Sequence, residues 1–203
     1  MDMNTTAIAV PTVPGTPFDG GFYVGRIRDG EELHAVIVSP RAGDLEAQAW
    51  GPVRKSITGA MSYYDGQGNT IAMAEAGSKL AKAILALDIA GKRDWYLPAR
   101  DELELVYRHL KPGTYATYAW RNGDNPSSVP AGYPYTEKHP QTPIASFREG
   151  GADALNETWY WTSTQSAPDA GYAWYQNFYG GHQGGYRQSA ELRARAVRRV
   201  AIR

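Results

Sequence analysis

The sequence predicts an α+β domain, with mixed and antiparallel strands around two helices and a long aromatic loop insertion. Two observations carry this. Strand-patterned segments stand at both ends of the chain with the helix-patterned segments between them, and no regular strand–helix alternation of the parallel folds is present. The stretch after the second helix has neither period and is rich in Pro, Gly, Asn and Ser.

Residues 1–17 read as an extended N-terminal arm, with Thr12, Pro14, Gly15 and Pro17 at its end, and residues 18–203 as one domain. Segments 22–27 and 34–38 flank Asp29-Gly30, a dipeptide suited to a hairpin turn, and 47–50 could add a short strand. A helix is expected over 71–87, because Ala72, Met73, Ala76, Leu80, Ala83, Ile84 and Leu87 keep the 3.6-residue period. A second is expected from about Pro98, which suits a first turn. Asp101 and Glu102 complement its dipole, Leu103, Val106, Tyr107 and Leu110 form its apolar stripe, and Lys111-Pro112-Gly113 stops it. The insert, 113–157, carries Tyr115, Tyr118, Trp120, Tyr133 and Tyr135, and that aromatic content favours ordered packing over disorder. Strands return at 159–163, 172–179 and 192–202.

Composition removes several function classes. Lys+Arg and Asp+Glu both number 21, which argues against a partner held by its phosphate backbone. The chain has no Cys, hence no disulfide, thiolate nucleophile or thiolate metal site. No stretch has the apolar length of a membrane span, and the N-terminus lacks a signal-peptide pattern, so synthesis in a cytoplasm without export is expected. The 22 Gly, 14 Tyr and 6 Trp point the other way, toward recognition by rigid amphipathic rings on a backbone that allows close approach.

Four motifs occur in a fixed order: GKRDWYLPARDELELVY (91–107), YWTST (160–164), AWYQNF (173–178) and ELRARAVRRV (191–200). Together they resemble the Lcl C-terminal domain family, a group of C-type-lectin-like domains. The run ending in ELRARAVRR is similar to the version carried by tailed bacteriophages. The resemblance implies a C-type-lectin-like fold, with Trp95 and Leu97 entering the core and Leu103 packing beneath Trp161. It also implies Trp174 and Phe178 on the core face of their strand, and a final strand lined by Ala194, Ala196, Val197, Val200 and Ile202. The alternation of that strand breaks at Arg198-Arg199, which suggests a β-bulge. Ala99 stands where the family has Thr or Ser, so a helix N-cap is missing. Gln176 replaces a common apolar residue, and the insert is longer than the usual family pattern.

The candidate ligand-binding residues lie on the hairpin 172–189. With Trp174 and Phe178 inside, Tyr175, Asn177 and Tyr179 would face outward, followed by His182, Gln183, Tyr186 and Arg187 among flexible glycines. The competing reading is a hairpin whose tyrosines merely pack on the insert. Arg187, Arg193, Arg195, Arg198, Arg199 and Arg203 read as the polar face of a strand, balanced by Asp94, Asp101, Glu102 and Glu104. Asp124-Asn125-Pro126 has too few oxygen donors for a calcium site and suits a turn. His34, His109, His139 and His182 are scattered, and no nucleophile elbow, phosphate loop or paired carboxylate is present. No catalytic residue, metal or cofactor is expected. The expected role is a non-enzymatic binding module of a bacteriophage virion, in a tail fibre, tail tip or capsid decoration, that recognises a host-surface glycan or protein. The alternatives are an architectural virion protein that glues neighbouring subunits and, at a distance, a cytoplasmic enzyme. Expected partners are other virion proteins in a homo-oligomer or larger assembly, without nucleic acid or membrane insertion.

Overall fold

The computed structural model describes residues 9–118, 125–130 and 135–202. Trp120, Asp124, Tyr133, Arg203 and the first eight residues of the arm lie outside them. The chain is α+β, with three helices and two sheets among the described residues. The first sheet has the order β1 (Pro17–Phe18), β2 (Gly21–Asp29), β3 (Glu32–Val38) and β9 (Val197–Ile202), all antiparallel. The β2–β3 hairpin turns at the predicted place: Asp29 pairs with Glu32 across Gly30-Glu31, and Gly30 takes φ 59°. The second sheet has the order β4 (Asp44–Ala49), β8 (Glu191–Arg195), β5 (Trp159–Gln165), β6 (Tyr172–Asn177) and β7 (Gln183–Arg187). Its β5–β8 pair is parallel and the rest are antiparallel.

The predicted helix 71–87 is two helices, α1 (Gly66–Glu75) and α2 (Lys79–Leu85). The chain breaks at Gly77, whose φ of 106° no helix accommodates, and restarts at Ser78. Ser78 Oγ accepts from Ala81 N–H at 3.2 Å and donates to the Trp50 carbonyl at 2.6 Å, so it caps α2 and ties it to the end of β4. Ser78→Ala should therefore lower stability by about 1–2 kcal/mol in urea denaturation, more than a solvent-exposed cap would.

α3 spans Arg100–Leu110 and begins after Pro98 rather than at it. The missing side-chain cap at Ala99 is replaced from elsewhere. Glu102 reaches back to the Ala99 N–H at 2.8 Å, Thr164 Oγ1 accepts from Arg100 N–H at 3.0 Å, and the Tyr63 carbonyl accepts from Asp101 N–H at 2.8 Å. The end of α3 falls before Lys111, as the sequence indicates.

The predicted final strand 192–202 also divides. β8 and β9 belong to different sheets, and the chain crosses between them at Ala196. β9 pairs with β3 in unbroken register from Val197 to Ile202, so no bulge occurs at Arg198-Arg199. Nor do Arg195, Arg198 and Arg199 form the expected polar face of one strand, since Arg195 belongs to β8 and the other two to β9. Arg195 is fully buried and donates to the carbonyls of Ser39 and Asp153, with Asp44 beside it. Arg198 is gripped by Asp94 and Asp19, and Arg199 by Asp29 and Asp65. Among the described residues, Asp94 is the one of the four predicted acidic partners in ion-pair contact with these arginines. Asp101 pairs with Arg100, Glu104 with Arg108, and Glu102 accepts from the Tyr96 hydroxyl.

Two apolar clusters fill the molecule. One joins α1 and α2 to Trp50, Trp95, Trp161, Ala173 and Tyr175. The other joins α3 to β2 and β3, with Tyr160 of β5 and Phe178 just after β6. Leu103 and Trp161 thus sit in different clusters, not one above the other. Because helices cover both faces of the second sheet, β5 is buried at every position from Tyr160 to Gln165. The last residues of the arm run along β2, where Gly15 N–H donates to the Tyr23 carbonyl. The insert adds to the same strand further on: Arg28 N–H donates to Ser127 O, and Val129 N–H to Arg26 O.

Candidate ligand-recognition surface

β6 and β7 form the expected hairpin at the edge of the second sheet, with Gln176 opposite Gln183 and Tyr172 opposite Arg187. The alternation along β6 holds, but its assignment to core and solvent does not. Tyr175 is buried in the first cluster, stacked on Trp159 with ring centroids 4.4 Å apart. Trp174, expected inside, is half-buried and edge-on to Tyr63, with the Arg100 guanidinium of α3 over the Tyr63 ring and 5.3 Å from the Trp174 ring. A strand covered on both faces has no outward side for the period to mark.

Each candidate residue has a definite place. Asn177 is buried and shapes the turn, its Oδ1 accepting from Tyr179 N–H at 2.7 Å. Gln183 is buried and donates to the Arg100 carbonyl at 3.0 Å. His182 is half-buried, edge-on to Tyr175. Tyr179 is half-buried and reaches the insert. Tyr186 and Arg187 are exposed, Tyr186 standing edge-on to Trp159. Tyr175, Asn177 and Gln183 are therefore supports rather than contact surface, and Tyr179, His182, Tyr186 and Arg187 remain accessible. Arg187 and Tyr172 also line a polar cleft of about 440 Å³ with Arg54, Asp169 and Ser189.

The structure adds residues from the insert. Tyr115 stacks on Tyr179 with centroids 3.7 Å apart and planes 21° from parallel, and Tyr118 closes edge-on against both. Tyr118 N–H donates to the Gly180 carbonyl, and a Cβ at Gly180 would collide with the Tyr118 ring. Gly181, at φ 82°, passes against the Tyr107 hydroxyl. The glycines of the turn are thus required by close packing, and the turn is held against α3 and the insert.

Lys111 organises this arrangement from beneath. Its side chain is fully buried, and the ammonium donates to the carbonyls of Gly113, Tyr115 and Pro140 at 2.6, 2.6 and 2.7 Å. Tyr135 lies 5.4 Å from the ammonium across its ring face, and its hydroxyl accepts from the Lys111 N–H. Burial pulls the Lys111 pKa down to about 8, partly opposed by Glu157. At neutral pH the ammonium keeps its proton, and its three donors have three acceptors. In the sequence Lys111 reads only as a helix stop, since nothing local marks the loops it will gather. Tyr115 and Tyr118 carry a visible signal, aromatic residues in an aperiodic segment, but not the partner they stack on.

Elsewhere, burial and Arg108 push the His109 pKa down to about 4, which leaves a neutral imidazole. Among the described residues no group of three or more His, Asp or Glu is placed to hold a metal ion. Of the Asp124-Asn125-Pro126 site, Asp124 lies outside the described residues, and the Asn125 amide is buried without a hydrogen-bond partner among the described residues. No helix among the described residues is long and apolar enough to cross a membrane.

The model of the Lcl C-terminal domain family matches residues 49–198, well over half of the chain. The chain belongs to this family. No curated protein matches the sequence. In this Lcl C-terminal domain the match opens at the end of β4 and closes within β9, so it takes in α1, α2 and α3 and the other four strands of the second sheet. All seven candidate residues, the insert and Lys111 fall inside it. The β2–β3 hairpin precedes it.

Proposed function

We propose that this chain is a non-enzymatic, C-type-lectin-like recognition module of a bacteriophage particle, which binds a host-surface glycan or protein. The phage assignment rests on the ELRARAVRR run. The observation that carries the binding role is the stack of Tyr115 on Tyr179. Two tyrosines from segments far apart in sequence are held ring to ring beside solvent, by a glycine turn on one side and a buried lysine on the other. Tyr115 stays 43% exposed in this arrangement. Rings fixed in advance lose little entropy on binding, which is what a recognition surface needs. Tyr186 and Arg187 extend the accessible surface along the edge strand.

Tyr115→Ala combined with Tyr179→Ala tests this directly, because neither residue belongs to an apolar cluster of the core. Adsorption of particles, or of the isolated protein, to host cells should fall by about tenfold or more while assembly yield stays normal. Normal adsorption with fewer assembled particles would favour the architectural alternative, in which the same rings glue virion subunits. Unchanged adsorption at full yield would remove this surface from both readings.

A further inference from the structure

We propose that the cleft beside Tyr115 is a subsite for an uncharged, polyhydroxylated ring such as a hexopyranose. This deepens the recognition reading above and rests on it. The cleft has a volume of about 530 Å³, within the range of small-ligand sites, and is formed by the insert on itself. Thr114, Tyr115 and Thr117 line one wall, and Tyr135, Thr136 and Glu137 the other. Tyr115 offers apolar ring surface of the kind that packs on sugar C–H faces, and its rear is braced by Tyr179. Hydroxyl and carboxylate oxygens stand around it as hydrogen-bond partners for sugar hydroxyls.

Charge decides the class of ligand. Glu137 is the one charged side chain among the described lining residues, and no Lys, Arg or His joins it. The nearby Lys111 does not change this, because its buried ammonium is consumed by the three carbonyls. A uronic acid or sulfated sugar would meet a carboxylate with no cation among the described lining residues to offset it, whereas a neutral sugar would find an acceptor for two of its hydroxyls. A second cavity of about 560 Å³ lies on the other side of the 135–140 segment and has the opposite character, lined by Lys138, His139 and Arg148. The insert thus presents a carboxylate-bearing cleft and a cationic one back to back, sharing Tyr135, Thr136 and Pro140. Lys111 also fixes the shape of the first cleft, since the carbonyls it gathers belong to Tyr115 and Pro140, one on each wall.

The test is a pair of titrations of the full chain, followed by NMR of labelled Thr and Tyr. The probes are methyl β-D-galactopyranoside and methyl β-D-glucuronide, with methyl α-D-glucopyranoside as a second neutral ring. The neutral glycosides should shift Thr114, Tyr115 and Thr117 in the millimolar range, and the glucuronide should bind the same residues about tenfold more weakly. Glu137→Gln, at an exposed position, should weaken the neutral glycosides and narrow that gap. Three results overturn the proposal: equal binding of the glucuronide at Tyr115, shifts confined to the Lys138 and Arg148 side, or no shift at Tyr115 with either neutral ring at tens of millimolar. Adsorption assays keep the two readings apart. Loss of adsorption in the Tyr115/Tyr179 variant with silent titrations sinks the sugar subsite alone, and intact adsorption with positive titrations sinks the recognition role alone.

Discussion

Trp161→Ala is expected to lower the free energy of unfolding by about 3–5 kcal/mol. The indole is fully buried in the cluster that joins α1 and α2 to the second sheet. Its removal would leave a cavity larger than the surrounding helices can collapse into, and packed interiors relax only in part. The indole also does a second job. Trp161 Nε1 donates to the Gln48 carbonyl at 3.0 Å, and Trp50 Nε1 donates back to the Thr162 carbonyl at 2.8 Å. These reciprocal bonds lock the end of β4 to β5, two strands that are not neighbours in the sheet. Truncation at 161 therefore opens the cavity and leaves a carbonyl without its donor. Chemical denaturation with an unchanged m-value is the measurement. A loss under about 1 kcal/mol would contradict the placement of this residue.

Glu102→Gln is expected to stabilise the protein above neutral pH, by about 3 kcal/mol at pH 8. Glu102 is fully buried at the start of α3, and burial raises its pKa to about 7 from the 4.5 of a free side chain. The hydrogen bonds from the Tyr96 hydroxyl and the Ala99 N–H hold the charged form and offset only part of that rise. A folded pKa above the unfolded one means the folded state holds the proton more tightly. The stabilising contribution of the protonated carboxyl is complete below about pH 4.5 and is lost as pH rises through about 7. At about 1.4 kcal/mol per unit, the gap of about 2.5 units gives the figure quoted. A glutamine keeps the oxygen that accepts from Ala99 and has no charge to bury. The wild type and the variant should be close in stability at pH 4.5 and diverge toward pH 8, other titrating groups cancelling in the difference. Parallel pH profiles for the two proteins would rule out an ionising Glu102 at this position.

Both effects come from residues whose sequence signal was clear in kind and silent in consequence. Trp161 sits in an alternating strand motif, and its burial is legible there. That it shares no cluster with Leu103, and instead trades hydrogen bonds with the segment around Trp50, depends on a sheet whose strand order runs far from chain order. Glu102 reads as a dipole-complementing surface acid, and only the covering of α3 on all sides makes it a buried one.

What the sequence by itself determined was the fold class, several element ends and the family. The β2–β3 turn, the stop of α3 at Lys111, the α+β class and the membership carried by the four motifs all follow from local chemistry: glycine conformations, apolar periods and residue order. The break between α1 and α2 was open to the same reasoning, since Gly77-Ser78 is a terminator followed by a cap. Local pattern could not decide which sheet face meets solvent. A period of two separates the faces of β6 but does not say what covers each, and here Trp159, His182 and Tyr186 close over Tyr175 while Trp174 stays half-exposed beside α3. The recognition surface was hidden for the same reason. It exists because one buried ammonium draws three loop carbonyls together and sets Tyr115 on Tyr179, a long-range arrangement that no window of sequence contains.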